Sequence, residues 1–183
     1  MVDDDSGAEI VMSVVPLDHP RARHLEDKLV AEMIRRYGGA GPGPVPIEHF
    51  ALPQGSFVVA VLDSVPVACG GFRFLRPQVA EIKRMYVDPA ARGRGLGRRL
   101  LGFLEQRAAE AGYTQVWLET GTEQPEAISL YTAAGYRSIE PYGEFKYDAR
   151  SRCFSRTLGG PVTPTDGPGR RGPGETGSSA PSM

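Results

Sequence analysis

The chain has 183 residues, 40% of them hydrophobic and 23% charged, which suits one globular domain with a sizeable core. A formal net charge of -1 excludes the overall positive field that a general nucleic-acid binder needs, so any basic function must be local. Cys69 and Cys153 are the only cysteines, which excludes a disulfide framework or a zinc cluster, and no apolar run is long enough to cross a bilayer; the expectation is a cytoplasmic protein with no membrane or nucleic-acid partner.

Residues 1–9, with three consecutive aspartates, read as an acidic flexible start. A short strand is predicted at 10–15, then a helix at 20–37 with Leu25, Leu29, Met33 and Ile34 on roughly one face, ended by Gly38 and Gly39. Residues 38–46, GGAGPGPVP, are too rich in breakers for a regular element; they form either a loop covering a site or a plain connector. Two β-rich runs at 57–62 and 66–75 flank Asp63-Ser64, as a hairpin requires, and a third at 79–87 follows the Arg76-Pro77 break.

A helix at 95–111 then carries Leu96, Leu100, Phe103, Leu104 and Ala108 as an apolar stripe. Gly112 stops it, a strand is predicted at 116–119, and a second helix at 126–134 closes on Gly135. The last strands are expected at 136–139 and 153–158, and residues 159–183 read as a disordered Gly/Pro/Ser tail. Strands early and strand-helix alternation later predict an α/β (α+β) domain over 10–158. Its core is a mixed, mainly antiparallel sheet of about six to seven strands with helices on both faces.

The segment from Glu81 to Leu100 is a strand leading through a glycine loop into a helix. Such a helix start traps anions, because its first amides lack backbone partners and the macrodipole adds partial positive charge. Gly93, Gly95 and Gly97 let a phosphate approach the backbone. A dinucleotide fingerprint fails here, since Arg98 and Leu100 occupy its small positions, and a nucleotide-triphosphate loop fails for want of a Gly-Lys-Ser/Thr ending.

What fits is Arg92-x-x-Gly95-x-Gly97, followed downstream by Leu130-Tyr131 and Gly135-Tyr136. These motifs closely resemble those of the GCN5-related N-acetyltransferases (GNAT). The resemblance covers residues 10–158 in element order and is specific from about 80 to 136. It implies acetyl-CoA as co-substrate, with its pyrophosphate on the loop at Arg92, Gly93, Arg94, Gly95, Leu96 and Gly97 and with Arg98 near the phosphates. The pantetheine arm would pair with Met85, Tyr86 and Val87.

By the same resemblance Tyr131 is the general acid beside the sulfur, or else a packed aromatic, and Glu81 is the candidate general base. A structural ion pair of Glu81 with Lys83 or Arg84 is the alternative, and Glu119 or a water relay would then serve as base. Gln124 stands where the family often has Asn and retains the capacity to hydrogen-bond the cofactor, while Pro125 suits the first helical turn. His19, His24 and His49 lack ligand spacing, so no metal is expected.

The expected activity is N-acetyl transfer to a primary amine of a small molecule by direct attack in a ternary complex. A protein or peptide amine, or a non-catalytic acyl-CoA-binding regulatory module, are the alternatives. Acceptors would enter past the first helix, the 38–46 loop and the 142–151 connection, where Glu144 and Asp148 could attract a cation. A homodimer through an exposed sheet edge is compatible with such a fold.

Overall fold

The computed structural model describes residues 9–39 and 41–159, so the expectations for the two termini lie, but for Glu9 and Gly159, outside the described residues. The strands are β1 (Ile10–Val14), β2 (Ser56–Leu62), β3 (Val65–Arg76), β4 (Val79–Val87), β5 (Gln115–Gly121), β6 (Arg137–Ile139) and β7 (Ser151–Thr157). The helices are α1 (Pro20–Tyr37), α2 (Leu96–Glu110) and α3 (Pro125–Ala133). All seven strands form one sheet in the order β1-β2-β3-β4-β5-β7-β6, so β7 inserts between β5 and β6. Every neighbouring pair is antiparallel except β4 with β5.

Local chemistry accounts for the element ends. Asp63 and Ser64 both adopt positive φ, 48° and 67°, the two-residue turn whose twist matches that of the strands it joins. Pro20 opens α1 where its missing N–H is harmless, and His19 Nδ1 accepts from Arg21 N at 3.2 Å. Gly38, at φ 72°, ends the helix and returns its amide to Ile34 O.

The sheet divides two cores. One face packs Phe57, Val59, Cys69 and Tyr86 against Leu25 and Leu29 of α1. The other packs Val58, Ala60, Phe72, Ile82, Val116 and Leu118 against Leu100 and Leu104 of α2, with Tyr131 of α3. Because both faces are covered, β2 reads as an unbroken apolar run. The buried stripe of α1 is Ala22, Leu25, Leu29 and Glu32, not Ile34, which is 40% exposed. The helical 3-4-3 step carries a carboxylate into the interior and turns Ile34 away.

One irregularity shapes the centre of the sheet. In β3–β4 the register passes from Gly71↔Lys83 to Cys69↔Tyr86, so Arg84 and Met85 together oppose Gly70. This is a β-bulge, and Arg84 sits in it at φ 60°. Glu26 Oε2 accepts from Arg84 Nη1 at 3.0 Å, and Gly43 O accepts from Nη2, so the unusual backbone is held from α1 and from the loop after it. Gly71 is required by crowding, since a Cβ there would lie 2.5 Å from Phe50 Cδ1 and 2.7 Å from Ser56 O.

Beside the bulge the parallel β4–β5 ladder runs from Val79↔Gln115 to Ile82↔Leu118 and stops. Beyond it the strands splay: β4 continues through Val87 with one edge unpaired, while β5 continues through Gly121 against β7. Leu104, fully buried and within reach of the Gly70 backbone, supports this joint from below. Leu104→Ala is expected to lower unfolding free energy by about 2–5 kcal/mol in urea denaturation, with the slope of the transition unchanged.

Candidate active site

The carboxyl end of β4 leads into Asp88, whose side chain accepts from Ala90 N at 3.0 Å and from Lys28 Nζ of α1 at 2.6 Å. The Lys28 hydrogen bond is the main reason the Asp88 carboxyl is held below its usual range. Gly93 and Gly95 follow with φ 79° and 73°, and a Cβ on either would meet nothing within 4 Å. Handedness, not space, calls for glycine there. Gly97 differs: its Cβ would come to 3.3 Å from Leu130 Cδ2, so it permits the close approach of α2 and α3.

The first bond into α2 runs from Arg99 N to Gly95 O at 3.1 Å, and the amides from Gly93 to Arg98 donate to no backbone carbonyl among the described residues. Such free donors at a helix start suit an anion. Of the predicted site residues, all but Arg94 and Glu81 border one cavity of about 300 Å³, which runs from this loop along Met85, Tyr86 and Val87 to Gln124 and Tyr131. The donor set fits an acyl-CoA: unpaired amides for the pyrophosphate and a free strand edge for the amide-bearing arm.

The arginine side chains of the loop take three different courses. Arg92 turns inward, with Nη2 on Glu32 Oε2 at 2.7 Å and Nε on Val87 O at 2.9 Å. Glu32 also binds Arg36, so one buried carboxylate joins the loop to the end of α1. Arg98 borders the cavity while its Nη1 donates to Ala133 O of α3 at 2.9 Å. Arg94 does not border it. Glu32 escaped the sequence reading, and its only signal was its place on the helical stripe with Leu25 and Leu29.

Tyr131 is buried, and its hydroxyl faces Met85 Sδ at 3.8 Å. Burial first, then the nearby negative charge of Glu119, pushes its phenol pKa far up, so it stays protonated as a hydrogen donor. It also borders a second cavity of about 440 Å³, on the side of the 42–46 loop. That loop and the segment after Tyr142 therefore lie where an acceptor was expected to enter.

Glu81 stands apart from these cavities. It is 1% exposed; Arg73 Nε and Nη2 both lie 2.7 Å from Oε2, Tyr142 Oη donates to Oε1 at 3.0 Å, and Lys83 Nζ is 3.5 Å away. Register explains this, because Glu81 pairs with Arg73 in β3 and Trp117 in β5, inside the closed part of the sheet. Its carboxylate is saturated, with Arg73 as the principal partner instead of Arg84, which pairs with Glu26.

Glu119, in the next strand of the sheet, is the second carboxylate that the sequence offered as base. It follows the last β4–β5 pair and borders both the 440 Å³ cavity and a third of about 540 Å³. Ser151 Oγ donates to its Oε1 at 2.7 Å. Burial raises its pKa above the ordinary 4.5, with Ser151 and Lys83 offsetting part of the rise. Among the described residues no group of His, Cys, Asp and Glu could hold a metal ion, and both cysteines are buried.

Comparison with known proteins points the same way. Residues 19–136 match the model of the acetyltransferase (GNAT) family. A protein of Azospirillum brasilense named IAA acetyltransferase is 33% identical over 136 residues, covering 72% of this chain and 89% of its own. A candidate acyl-CoA N-acyltransferase structure from Klebsiella pneumoniae is similar with TM-score 0.69 and 25% identity, over 82% of this chain and 99% of that one. The fold is also that of the PaiA N-acetyltransferase of Thermoplasma acidophilum, solved with coenzyme A, at TM-score 0.62 and 15% identity over 81% of this chain and 99% of the other. Since the matched segment runs from the start of α1 to just past α3, and so contains the glycine loop, the splayed strands and Tyr131, the chain belongs to the acetyltransferase (GNAT) family.

Proposed function

We propose that this acetyltransferase moves an acetyl group from acetyl-CoA to a primary amine of a small molecule, by direct attack in a ternary complex. The observation that carries the reading is the junction of two cavities. Leu29, Met33, Met85, Gln124 and Tyr131 border both the 300 Å³ cavity that begins at the glycine loop and the 440 Å³ cavity that opens under Pro42 and Pro46. A thioester reaching along β4 and an amine arriving from the opposite side meet there, which converts a bimolecular encounter into an oriented one.

The chemistry needs a proton taken from nitrogen and one given to sulfur. Glu119 is the base: it is the half-buried carboxylate on the acceptor side, held by the Ser151 hydroxyl where Glu144 is exposed, and burial raises its pKa, which makes it a better proton acceptor than an ordinary carboxylate. As the amine nitrogen bonds to the carbonyl carbon the carbon–sulfur bond breaks. The Tyr131 O–H then supplies the proton that the departing sulfur takes. The walls of Met33, Val45, Pro46 and Phe145, together with the relative named IAA acetyltransferase, favour a small acceptor with an apolar part over an extended peptide.

Calorimetric titration of acetyl-CoA is expected to detect binding to the wild type and none to Gly95→Glu, whose carboxylate would face the pyrophosphate. Tyr131→Phe should retain that binding while kcat falls by about 10²–10⁴, and unchanged turnover would remove Tyr131 from the mechanism. Rate should rise with pH as Glu119 loses its proton, along a limb centred above 4.5, and Glu119→Gln should abolish that limb. Glu81→Gln, by contrast, should preserve the limb and lower stability, by about 1–3 kcal/mol, because it leaves the half-buried Arg73 charge without its carboxylate.

A further inference from the structure

Tyr37, the last residue of α1, reaches across the crevice to the entrance of α3. Its Oη accepts from Glu123 N at 3.0 Å and from Gln124 Nε2 at 3.3 Å. Room for the phenol is built into the opposite strand: a Cβ on Gly121 would lie 2.0 Å from that oxygen. Gln124 is the residue preceding the first turn of α3, yet its side chain makes no capping bond to the helix. Its amide is oriented from outside, by Tyr37.

A carboxamide carries an accepting carbonyl oxygen and a donating NH2 that diverge within one plane. With Nε2 committed to Tyr37, Oε1 is turned away from Tyr37 and left as the acceptor. Gln124 borders the glycine-loop cavity and both cavities on the acceptor side, so this acceptor stands at their common wall. The arm of acetyl-CoA carries amide N–H groups that must pass this wall on the way from the loop to Tyr131. Arg36 secures the same contact separately, through Nη1 to Glu123 O at 2.7 Å and Nη2 to Glu126. The approach of α1 to α3 therefore does not depend on the Tyr37 hydroxyl.

We propose that Tyr37 is a positioning residue for acetyl-CoA, its hydroxyl fixing the Gln124 amide so that Oε1 accepts an N–H of the cofactor arm. The inference rests on the acetyltransferase reading. It makes Gly121 part of the device, as the residue whose missing side chain admits the phenol.

The test is calorimetric titration of acetyl-CoA into wild type, Tyr37→Phe, Gln124→Ala, the double variant and Gly121→Ala. Losing one positioned hydrogen bond should weaken binding about three- to tenfold in Tyr37→Phe. Gln124→Ala should weaken it to a similar degree, and the double variant should be no weaker than Gln124→Ala alone. Gly121→Ala, which keeps both side chains but displaces the phenol, should match Tyr37→Phe. An unchanged dissociation constant in Tyr37→Phe overturns the proposal. So does a Tyr37→Phe loss that persists in full in the Gln124→Ala background, since Tyr37 would then act through the fold and not through Gln124. Absence of wild-type binding would instead overturn the acetyltransferase reading itself.

Discussion

The site depends on a hydrogen-bond ladder that ends early. β4 and β5 pair for the few residues up to Ile82↔Leu118 and then separate, because the bulge at Arg84 and Met85 turns β4 away while β7 keeps β5 on its course through Gly121. Backbone groups on the inner edge of β4 beyond this point have no strand to pair with. They become a template for an extended ligand, as an exposed edge does wherever it is not covered.

The same joint dictates where the glycine loop and the start of α2 lie. A parallel pair needs a crossover, and here it is α2, which begins beyond the carboxyl end of β4 and returns the chain to the start of β5. Its first turn, with unpaired amides and positive partial charge, therefore opens at the mouth of the crevice. Gly97 lets α3 close over that turn, which brings Tyr131 to the point where the strands part. The free helix start, the unpaired strand edge and the position of Tyr131 are thus consequences of one topological feature.

Charge pairing sorts the carboxylates around the crevice by role. Glu26, Glu32 and Glu81 each face an arginine at hydrogen-bond distance, and a buried carboxylate so paired serves to hold elements together. Glu26 steadies the bulge, Glu32 ties the glycine loop to α1, and Glu81 closes the sheet below the splay. Among the described residues Glu119 receives only a serine hydroxyl within that distance, and burial raises its pKa while Ser151 and Lys83 offset part of the rise. Residue type is the same in all four; what differs is the company that packing provides.

Element positions were legible in the sequence because their signals are local. Gly38, Asp63-Ser64, Gly112 and Gly135 stand where the backbone turns to positive φ, and the apolar periods between them give strands and helices close to those observed. The glycine loop was legible for the same reason, since three glycines ahead of a helix specify a backbone conformation without reference to the rest of the chain. Strand order, the insertion of β7 beside β5, the different partners of Glu81 and Glu119, and the approach of Tyr37 to Gln124 were not. Each depends on register between segments far apart in sequence, where a shift of one residue sends a side chain to the other face of the sheet. The sequence by itself determined the elements, the glycine loop ahead of α2 and the tyrosine of α3 that shares a cavity with it. Only the tertiary structure decided which carboxylate is left without an arginine, because that follows from which strands remain paired and which part.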